Sequence, residues 1–370
     1  MTELSNLPLR DDLKGRTPYG APQLPSVSVA LNVNENTHRI PEVAALDIVG
    51  RLAAAVLQVN RYPDREFLDL RTALAEYLSS TVGTPNAIEQ EQIWAANGSN
   101  EVLQHIFQAF GGPGRTAMGF VPTYSMYPLI SEGTGTKYIA IERGPRYELT
   151  PEIVSDAIAK HKPNIVMLCS PNNPTGTPLD QSVIVAAYSA AATYGGIVVV
   201  DEAYAEFAHD TSETALNLLA GRPLLLVSRT MSKAFAFAGA RVGYLAADPA
   251  VIDALRLVRL PYHLSAFTQA AALGALAHAK ALLANVDDIR TQRDRLVFEL
   301  TELGLDVFRS DSNFVLFGGL KDSKAVWQEL LDQDVLIRDV GIPGTLRVTA
   351  GTAAETTAFL NALRAILGSE

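Results

Sequence analysis

The sequence predicts an α/β fold built around a mostly parallel sheet. Between about residues 93 and 265, short apolar runs alternate with helical stretches, which is typical of parallel strands joined by crossover helices. Several of these runs are apolar on both faces, as strands covered by helices on both sides must be. With 370 residues, 48% of them hydrophobic and 19% charged, the chain can form one large domain or two, and general disorder is excluded.

Charge and cysteine content narrow the possible partners. The chain has 30 basic and 40 acidic residues, a formal net charge of −10, and no basic run, so we expect no nucleic-acid partner. A single cysteine, Cys169, excludes an intramolecular disulfide, and no His/Cys spacing suits a metal, so we expect none. We see no leader-like start and no apolar stretch of about 18 residues, which predicts a cytoplasmic protein without membrane contact.

The N-terminal part is predicted to contain an arm followed by two helices. Residues 1–44 begin with a weakly periodic stretch rich in Pro, Asn and Arg, which indicates an arm that lies on the small domain and on a partner subunit. Residues 41–59 carry apolar side chains at helical spacing. A break at 61–64 contains Pro63, and residues 67–78 are helical again.

The central part, 45–265, is predicted to be the large domain. Its expected helices lie at 102–110, 151–160 and 182–194. Its expected strands lie at 116–120, 138–141, 165–170, 197–201, 224–228 and 242–246. Ligands of such sheets bind at the carboxyl ends of the strands, so polar residues just after these runs are the first candidates for a site.

The C-terminal part, 266–370, is predicted to be a smaller α+β domain. A long helical stretch at 270–303 comes first. Short strands then alternate with helices. The strands are expected at 306–309, 313–317, 335–338 and 346–350, and the helices at 324–331 and 354–367.

Two side chains after predicted strands suggest chemistry. Asp201 ends an apolar run and could either cap a turn or face a cationic partner that it keeps protonated. Lys233 could begin a solvated helix, but residues 234–238 beside it are apolar. A desolvated lysine has a lowered pKa, which suits Schiff-base chemistry.

Two further features could hold a phosphate. Ser99 and Asn100 precede a predicted helix, where they could be plain N-caps or could offer backbone N–H groups to an anion. Arg241 could be a surface arginine or a bidentate phosphate ligand. A lysine for an aldehyde, a carboxylate for a ring nitrogen and a cradle for a phosphate together describe one cofactor, pyridoxal phosphate, which acts as an electron sink.

Four motifs carry a resemblance to a known family. They are SPNNPTG at 170–176, DEAY at 201–204, SKAF at 232–235 and GARVG at 239–243. With them the chain resembles the fold-type-I pyridoxal-phosphate enzymes of the aspartate aminotransferase superfamily, and among these the histidinol-phosphate aminotransferase family. The resemblance implies a seven-stranded sheet in the large domain. It extends to LNVNEN at 31–36, NRYP at 60–63, NGSNE at 97–101, LIRD at 336–339 and LRVTAGT at 346–352.

The resemblance implies roles for the catalytic residues Lys233, Asp201 and Tyr204. Lys233 would form the Schiff base and carry a proton between Cα and C4′. Asp201 would pair with the ring nitrogen, while Tyr204 and Asn173 would hydrogen-bond the phenolic oxygen. The remaining residues implied to stack on the ring or bind its phosphate are Ser99, Asn100, Tyr124, Thr230, Ser232, Arg241 and, from the neighbouring subunit of a homodimer with shared active sites, Tyr62.

The resemblance also implies substrate contacts and a reaction. Arg347 would bind a carboxylate, and Arg338 and Tyr19 a substrate phosphate, with Asn34 and Asn173 beside them. The reaction would be amino transfer between L-histidinol phosphate and 2-oxoglutarate, giving imidazole acetol phosphate and L-glutamate, in histidine biosynthesis.

Three alternatives remain at this point. An aromatic amino-acid aminotransferase of the same fold would share every cofactor motif. A β-lyase or decarboxylase would use the same cofactor. A cofactor-binding regulatory domain would need a helix-turn-helix module, for which the sequence offers no basic recognition helix.

Overall fold

The computed structural model describes residues 6–15, 17, 18, 20, 23, 24, 26–84 and 87–368. Most strands form close to the predicted apolar runs, whereas the short strand at residues 29–30 lies in the stretch predicted as an arm. The strands are β1 Val29–Ala30, β2 Ile93–Ala96, β3 Thr116–Val121, β4 Lys137–Glu142, β5 Ile165–Cys169, β6 Ile197–Asp201, β7 Leu225–Thr230, β8 Gly243–Ala246, β9 Asp306–Val307, β10 Phe314–Gly318, β11 Val335–Leu336 and β12 Leu346–Thr349.

Helices occupy much of the remaining chain, and α5 shows how their ends are fixed. It begins after Thr150, whose side chain accepts a hydrogen bond from the amide of Ile153, with Pro151 in its first turn. The helices are α1 Glu42–Val56, α2 Leu68–Thr81, α3 Ser99–Phe110, α4 Met126–Gly133, α5 Pro151–His161, α6 Gln181–Ala192, α7 Pro249–Arg256, α8 Ala266–Ala277, α9 Ala279–Leu282, α10 Val286–Glu302, α11 Ser323–Asp332 and α12 Ala353–Leu367.

The largest sheet has seven strands in the order β2, β8, β7, β6, β5, β3, β4. From β7 to β4 every pairing is parallel, whereas β8 runs antiparallel to both β2 and β7. Every residue of β5, β6 and β7 is buried, as in sheets covered on both faces. The predicted mostly parallel sheet of seven strands is therefore confirmed.

The register of the central strands brings their polar ends to one edge. Cys169 at the end of β5 is paired with Asp201 at the end of β6, and Asp201 is paired with Ser228 in β7. Because these three strands are parallel, the segments that follow them start side by side. This edge is where ligands of such sheets bind.

Two hydrophobic clusters divide the described part of the chain. The first surrounds the seven-stranded sheet and includes Ala271, Ala272 and Ala275 of α8. The second surrounds β10 and β12, and its members from the C-terminal part begin with Val286 of α10. We therefore propose that the small domain begins near residue 286 rather than at 266. The 1–44 arm contributes to it through β1, which pairs with β11.

The single helical stretch predicted at 270–303 is wrong, because the chain forms separate helices there. His278 leaves the helical conformation, with φ −114° and ψ 22°, and ends α8. The short α9 and a 3-10 turn at Leu283–Asn285 follow before α10 begins. The interruption lies where the chain passes from the first hydrophobic cluster to the second.

Most of the predicted apolar stripe of α1 faces away from the core. This helix buries only Ala44 and Ile48, whereas Leu46 and Val49 are 66% and 61% exposed. Among the described helices, none combines the length and the apolar character that crossing a bilayer requires. Most apolar side chains of this stripe are thus left uncovered by the rest of the described chain.

Candidate active site

A cleft of about 450 Å³ opens at the carboxyl edge of the seven-stranded sheet. Its walls come from the sheet, from arm residues 32–35 and from residues 338–340 of the C-terminal part. Most of the predicted site residues line it. They are Asn34, Ser99, Asn100, Tyr124, Asn173, Asp201, Tyr204, Thr230, Ser232, Lys233, Arg241, Arg338 and Arg347.

Lys233 is half-buried in this cleft, shortly after the end of β7. Its Nζ donates a hydrogen bond to the backbone carbonyl of Val33 at 3.0 Å and lies 6.0 Å from the ring centre of Tyr204. Burial, together with the nearby charge of Arg347, lowers the pKa of Lys233 to about 8, although Glu35 acts in the opposite direction. A neutral amine is therefore accessible at physiological pH, as a nucleophile or proton acceptor requires.

Asp201 is buried, with 3% of its surface exposed, and its two oxygens differ. Oδ2 accepts a hydrogen bond from the Tyr127 hydroxyl at 2.8 Å, whereas the buried Oδ1 has no partner among the described residues. Burial raises the pKa of Asp201 to about 6, and the bond from Tyr127 limits that rise. The cleft thus contains one buried acceptor oxygen that a protonated ring nitrogen would satisfy.

Tyr204, Asn173 and Arg347 form a chain of hydrogen bonds across the cleft. The Tyr204 hydroxyl accepts from Nδ2 of Asn34 at 3.0 Å and from Nδ2 of Asn173 at 3.3 Å. Arg347 donates from Nη1 to Oδ1 of Asn173 at 2.6 Å and from Nη2 to the backbone carbonyl of Asn32 at 2.9 Å. Burial raises the pKa of Tyr204, so its hydroxyl stays protonated near neutral pH.

Groups that could bind an anion meet at the start of α3, and we call this place the cradle. The helix begins at Ser99, and the preceding Gly98 has φ +87°, so Ser99 is not the N-cap that the alternative interpretation required. The Arg241 guanidinium lies where a Cβ at position 98 would stand, and the positive φ of Gly98 favours glycine at this position. The helix terminus and Arg241 therefore converge on one place that favours an anion.

The hydroxyl side chains of Thr230 and Ser232 also line the cleft. Thr230 donates from Oγ1 to Oγ of Ser232 at 3.0 Å, and the backbone amide of Ser232 donates to Oγ1 of Thr230 at 3.1 Å. Tyr124 donates from its hydroxyl to Oδ1 of Asn100 at 3.1 Å. Asn100 therefore orients the aromatic side chain that was expected to stack on the cofactor.

Among the predicted residues that the structure describes, Tyr62 is not brought into this cleft of its own chain. It is 79% exposed, and its ring stacks on that of Tyr262 with centres 4.4 Å apart. Tyr19 lies outside the described residues. The sequence interpretation missed Tyr127, the hydrogen-bond partner of Asp201, since a tyrosine at that place resembles any core aromatic.

The residues of the cleft fit pyridoxal phosphate. Asp201 offers a buried acceptor oxygen to which no described residue donates, Lys233 a half-buried amine with a lowered pKa, and the start of α3 a cradle for an anion. A mostly parallel α/β sheet that presents these groups at its carboxyl edge defines the fold-type-I pyridoxal-phosphate enzymes as the class.

Comparisons with known proteins identify the family. The family described as "Aminotransferase class I and II" matches residues 27–363. Histidinol-phosphate aminotransferase of Paenarthrobacter aurescens is 59% identical over 99% of this chain and 97% of its own length. The protein of the same name from Frankia casuarinae is 57% identical over 99% of this chain and 92% of its own.

A solved structure agrees with the sequence relatives. Histidinol-phosphate aminotransferase from Sinorhizobium meliloti, in complex with pyridoxal-5′-phosphate, superimposes with a TM-score of 0.81 at 25% identity, covering 93% of this chain and 91% of that one. The chain belongs to the class I and II aminotransferase family. The expected family, fold type, cofactor and enzyme class are thereby confirmed.

Proposed function

We propose that this aminotransferase moves an amino group between L-histidinol phosphate and 2-oxoglutarate, giving imidazole acetol phosphate and L-glutamate in histidine biosynthesis. The observation that carries the proposal is the identity of 59% and 57%, over 99% of this chain, to two proteins named for that reaction. The cleft supports it, because Arg338 and Arg347 line it together and each proposed substrate is an anion.

Protein groups on several sides of the cleft would hold the cofactor. Pyridoxal phosphate, when bound, supplies an electron sink for the negative charge that develops at the substrate Cα. Asp201 would keep the ring nitrogen protonated through Oδ1, and the Tyr204 hydroxyl with Asn173 would hold the phenolic oxygen. The groups proposed to bind the phosphate or to cover the ring are Ser99, Asn100, Tyr124, Thr230, Ser232 and Arg241.

Lys233 would bind the cofactor covalently and then move protons. Because its pKa is lowered to about 8, a useful fraction of the amine is neutral near neutral pH. After the substrate amine has displaced it, Nζ would take the proton from Cα and return a proton later as a general acid. The Val33 carbonyl, 3.0 Å away, gives the displaced amine a fixed position in the cleft.

Arg347 and Arg338 would share recognition of the substrate anions. Their backbones pair in both directions, at 3.0 and 2.9 Å, so the two side chains are held at one place in the small domain. Arg347 would bind the carboxylate of L-glutamate, and Arg338 the phosphate of L-histidinol phosphate. Asn34 and Asn173 would lie beside the substrate, and Tyr19 would assist Arg338.

We further propose a homodimer with shared active sites. An exposed apolar surface supports it, because a patch of this kind is typical of a protein–protein contact. Tyr62 stacks on Tyr262, which joins the two segments of the surface. Its exposed apolar residues are Val43, Leu46, Val49, Val56, Leu57, Val59, Tyr62, Leu257, Leu260 and Tyr262.

Mixing two inactive variants tests the shared site. If Tyr62 serves the partner's cleft, a dimer of one Lys233→Ala chain and one Tyr62→Ala chain has one complete site. The mixture, after subunit exchange, should therefore be more active than the sum of the two separate variants. No gain, in a sample whose mixed dimers are verified by mass, would contradict the role of Tyr62.

We place the enzyme in the cytoplasm. Its one cysteine, Cys169, is a buried free thiol, which suits a reducing compartment. Fractionation of cells that express the full chain would test this location directly, since the enzyme should appear with the cytoplasmic markers.

A substrate panel tests the proposed reaction. Discrimination between substrates is the ratio of their kcat/KM values. With 2-oxoglutarate as acceptor, L-histidinol phosphate should give a far higher kcat/KM than phenylalanine. The reverse order would favour an aromatic amino-acid aminotransferase, and release of ammonia with pyruvate from a cysteine conjugate would favour a β-lyase.

Lys233→Ala tests the chemistry apart from the choice of substrate. The variant should lose both turnover and the visible absorbance of the lysine-bound cofactor. Lys324→Ala, at an exposed position in α11, is the matched control and should retain both. A lysine-linked cofactor spectrum in the Lys233 variant would remove this residue from its proposed role.

A further inference from the structure

Tyr127 is a fully buried tyrosine to which the reaction described above assigns no part. It lies in the first turn of α4, and its ring packs edge-on against Tyr124, with centres 5.5 Å apart and planes at 86°. Its hydroxyl donates to Oδ2 of Asp201 at 2.8 Å. Burial raises the pKa of Tyr127 well above its usual value, so the hydroxyl remains a donor near neutral pH.

The hydrogen bond from Tyr127 occupies one oxygen of the Asp201 carboxylate and leaves the other available to a ligand. Oδ2 is occupied, while the buried Oδ1 has no partner among the described residues, and the side chain lines the cleft. A carboxylate that is held through one oxygen keeps the other in a defined orientation, provided the supporting residue is itself locked by packing. Tyr127 meets that condition, since it is fully buried and its ring packs against that of Tyr124.

We propose that Tyr127 is the positioning residue of Asp201: it holds Oδ2, keeps the carboxylate ionised and leaves Oδ1 to the ring nitrogen of the cofactor. This inference rests on the proposed role of Asp201. Tyr127 also packs on Tyr124, the side chain proposed to stack on the ring. One buried residue thus supports two groups that would hold the cofactor.

Of the groups near Asp201, few favour the ionised form of its carboxylate. Glu202, which directly follows β6, is a like charge, and together with burial it raises the pKa of Asp201 to about 6. Cys169 of β5 stays a neutral thiol, because burial raises its pKa to about 12. The Tyr127 hydroxyl and the backbone amide of Ala203 are the groups that favour the ionised carboxylate.

The test is the affinity of the apoprotein for pyridoxal phosphate, followed by visible absorbance from about pH 5 to about pH 8, across the window in which Asp201 titrates. Tyr127→Phe removes a hydrogen bond to a charged group, so affinity at neutral pH should fall about tenfold. The pKa of Asp201 should rise, so the acid-side loss of affinity should occur about one pH unit higher. The titrating groups of the cofactor are the same in the wild type and in the variant. A difference in pH dependence between the two therefore comes from groups of the protein.

Tyr138→Phe is the matched control. The Tyr138 hydroxyl is also buried but has no partner among the described residues, so its removal should leave affinity and midpoint unchanged. In an Asp201→Asn background, Tyr127→Phe should have a much smaller effect on affinity, because the amide oxygen that remains is an uncharged acceptor. Replacement of Tyr127 by 3-fluorotyrosine keeps the packing and strengthens the donor, so the midpoint should move to lower pH.

The results separate this inference from the proposed function. The positioning role would be overturned if both Tyr127 replacements lost affinity in acid at the same pH as the wild type. It would also be overturned if Tyr127→Phe lowered affinity equally with and without Asp201. Wild-type protein that takes up no pyridoxal phosphate would overturn the cofactor assignment and the inference together. Opposite shifts in the two Tyr127 replacements, absent from Tyr138→Phe, would establish the role.

Discussion

Arg347 donates from Nη1 to Oδ1 of Asn173 at 2.6 Å, and the amide of Asn173 donates to the hydroxyl of Tyr204 at 3.3 Å. Arg347 belongs to β12 in the second hydrophobic cluster, whereas Asn173 follows β5 of the large sheet. One asparagine therefore connects the arginine proposed for the substrate carboxylate with the tyrosine proposed for the cofactor. Substrate and cofactor contacts should then be coupled through this side chain.

Asn173→Ala should lower kcat/KM for L-glutamate about a hundredfold. The change removes a hydrogen bond to a charged group and a neutral one, whose combined effect is about that size. Steady-state kinetics with saturating cofactor measure it. Asn217→Ala, which removes an exposed amide that donates to the nearby carbonyl of Ser212, is the control. Equal kinetics in the two variants would show that the hydrogen bonds of Asn173 to Arg347 and Tyr204 have no part in the reaction.

Arg338→Ala should raise KM for L-histidinol phosphate about tenfold or more, because a charged contact to the phosphate is lost. KM for phenylalanine should change much less, since that substrate carries no phosphate. Arg364→Ala, at an exposed position of α12, controls for the loss of a positive charge. Equal increases in KM for both substrates would show that Arg338 acts through the structure of the cleft and not through a contact with the phosphate.

The sheet and the groups at its edge could be predicted because apolar runs reveal where strands end. Asp201 follows such a run, and a parallel register brings neighbouring strand ends together without further information. Tyr127 could not be found in this way. Its partner lies 74 residues away, and only the packing of α4 brings the hydroxyl to the carboxylate.

Two other features could not be predicted from the periodicity of apolar residues. The spacing of Val43, Leu46 and Val49 predicts an apolar helix face, but the same spacing serves a core and a subunit contact, and here the face is exposed. The interruption at His278 depends on the passage from one hydrophobic cluster to the other. The local sequence therefore predicts neither the exposure of this helix face nor the interruption at His278.

The buried ion pair of Arg229 and Glu202 should contribute strongly to stability. Nη2 of Arg229 lies 2.8 Å from Oε2 of Glu202, and both side chains are about 4% exposed. Burial lowers the pKa of Arg229, but Glu202 and Glu206 outweigh this effect and raise it above its usual value. Arg229→Leu would leave buried carboxylates without their cation, which typically costs about 3–5 kcal/mol.

Urea unfolding of the apoprotein measures that cost. Lys14→Met breaks an ion pair with Asp11 whose side chains are both exposed, so it should cause little change and serves as the control. An equally small change in the free energy of unfolding of the Arg229 variant would mean that water or a rearrangement stabilises the charge of Glu202 in place of the arginine. The pair also lies next to Asp201 and Thr230 in sequence, so cofactor affinity should fall with stability.

His105 should make the protein less stable in acid. It is buried in α3, and its Nδ1 accepts a hydrogen bond from Nε1 of Trp94 at 3.2 Å. Burial, with a smaller contribution from His263, lowers the pKa of His105 to about 4. In the unfolded chain a histidine titrates near about 6.5, so between about pH 6.5 and about pH 4 the unfolded state binds more protons than the folded one.

The stabilising contribution of His105 is thus fully present above about pH 6.5 and is lost as the pH falls through about 4, amounting to about 3 kcal/mol in total. His105→Asn cannot take up this proton, so its free energy of unfolding should depend less steeply on pH in that window. Urea titrations at several pH values measure the slope. The opposite contribution of Asp201, whose pKa is raised to about 6, is present in both proteins and cancels in the comparison. Since His161→Asn removes a histidine at the end of α5 instead, a slope that changes equally in both variants would rule out His105 as the source.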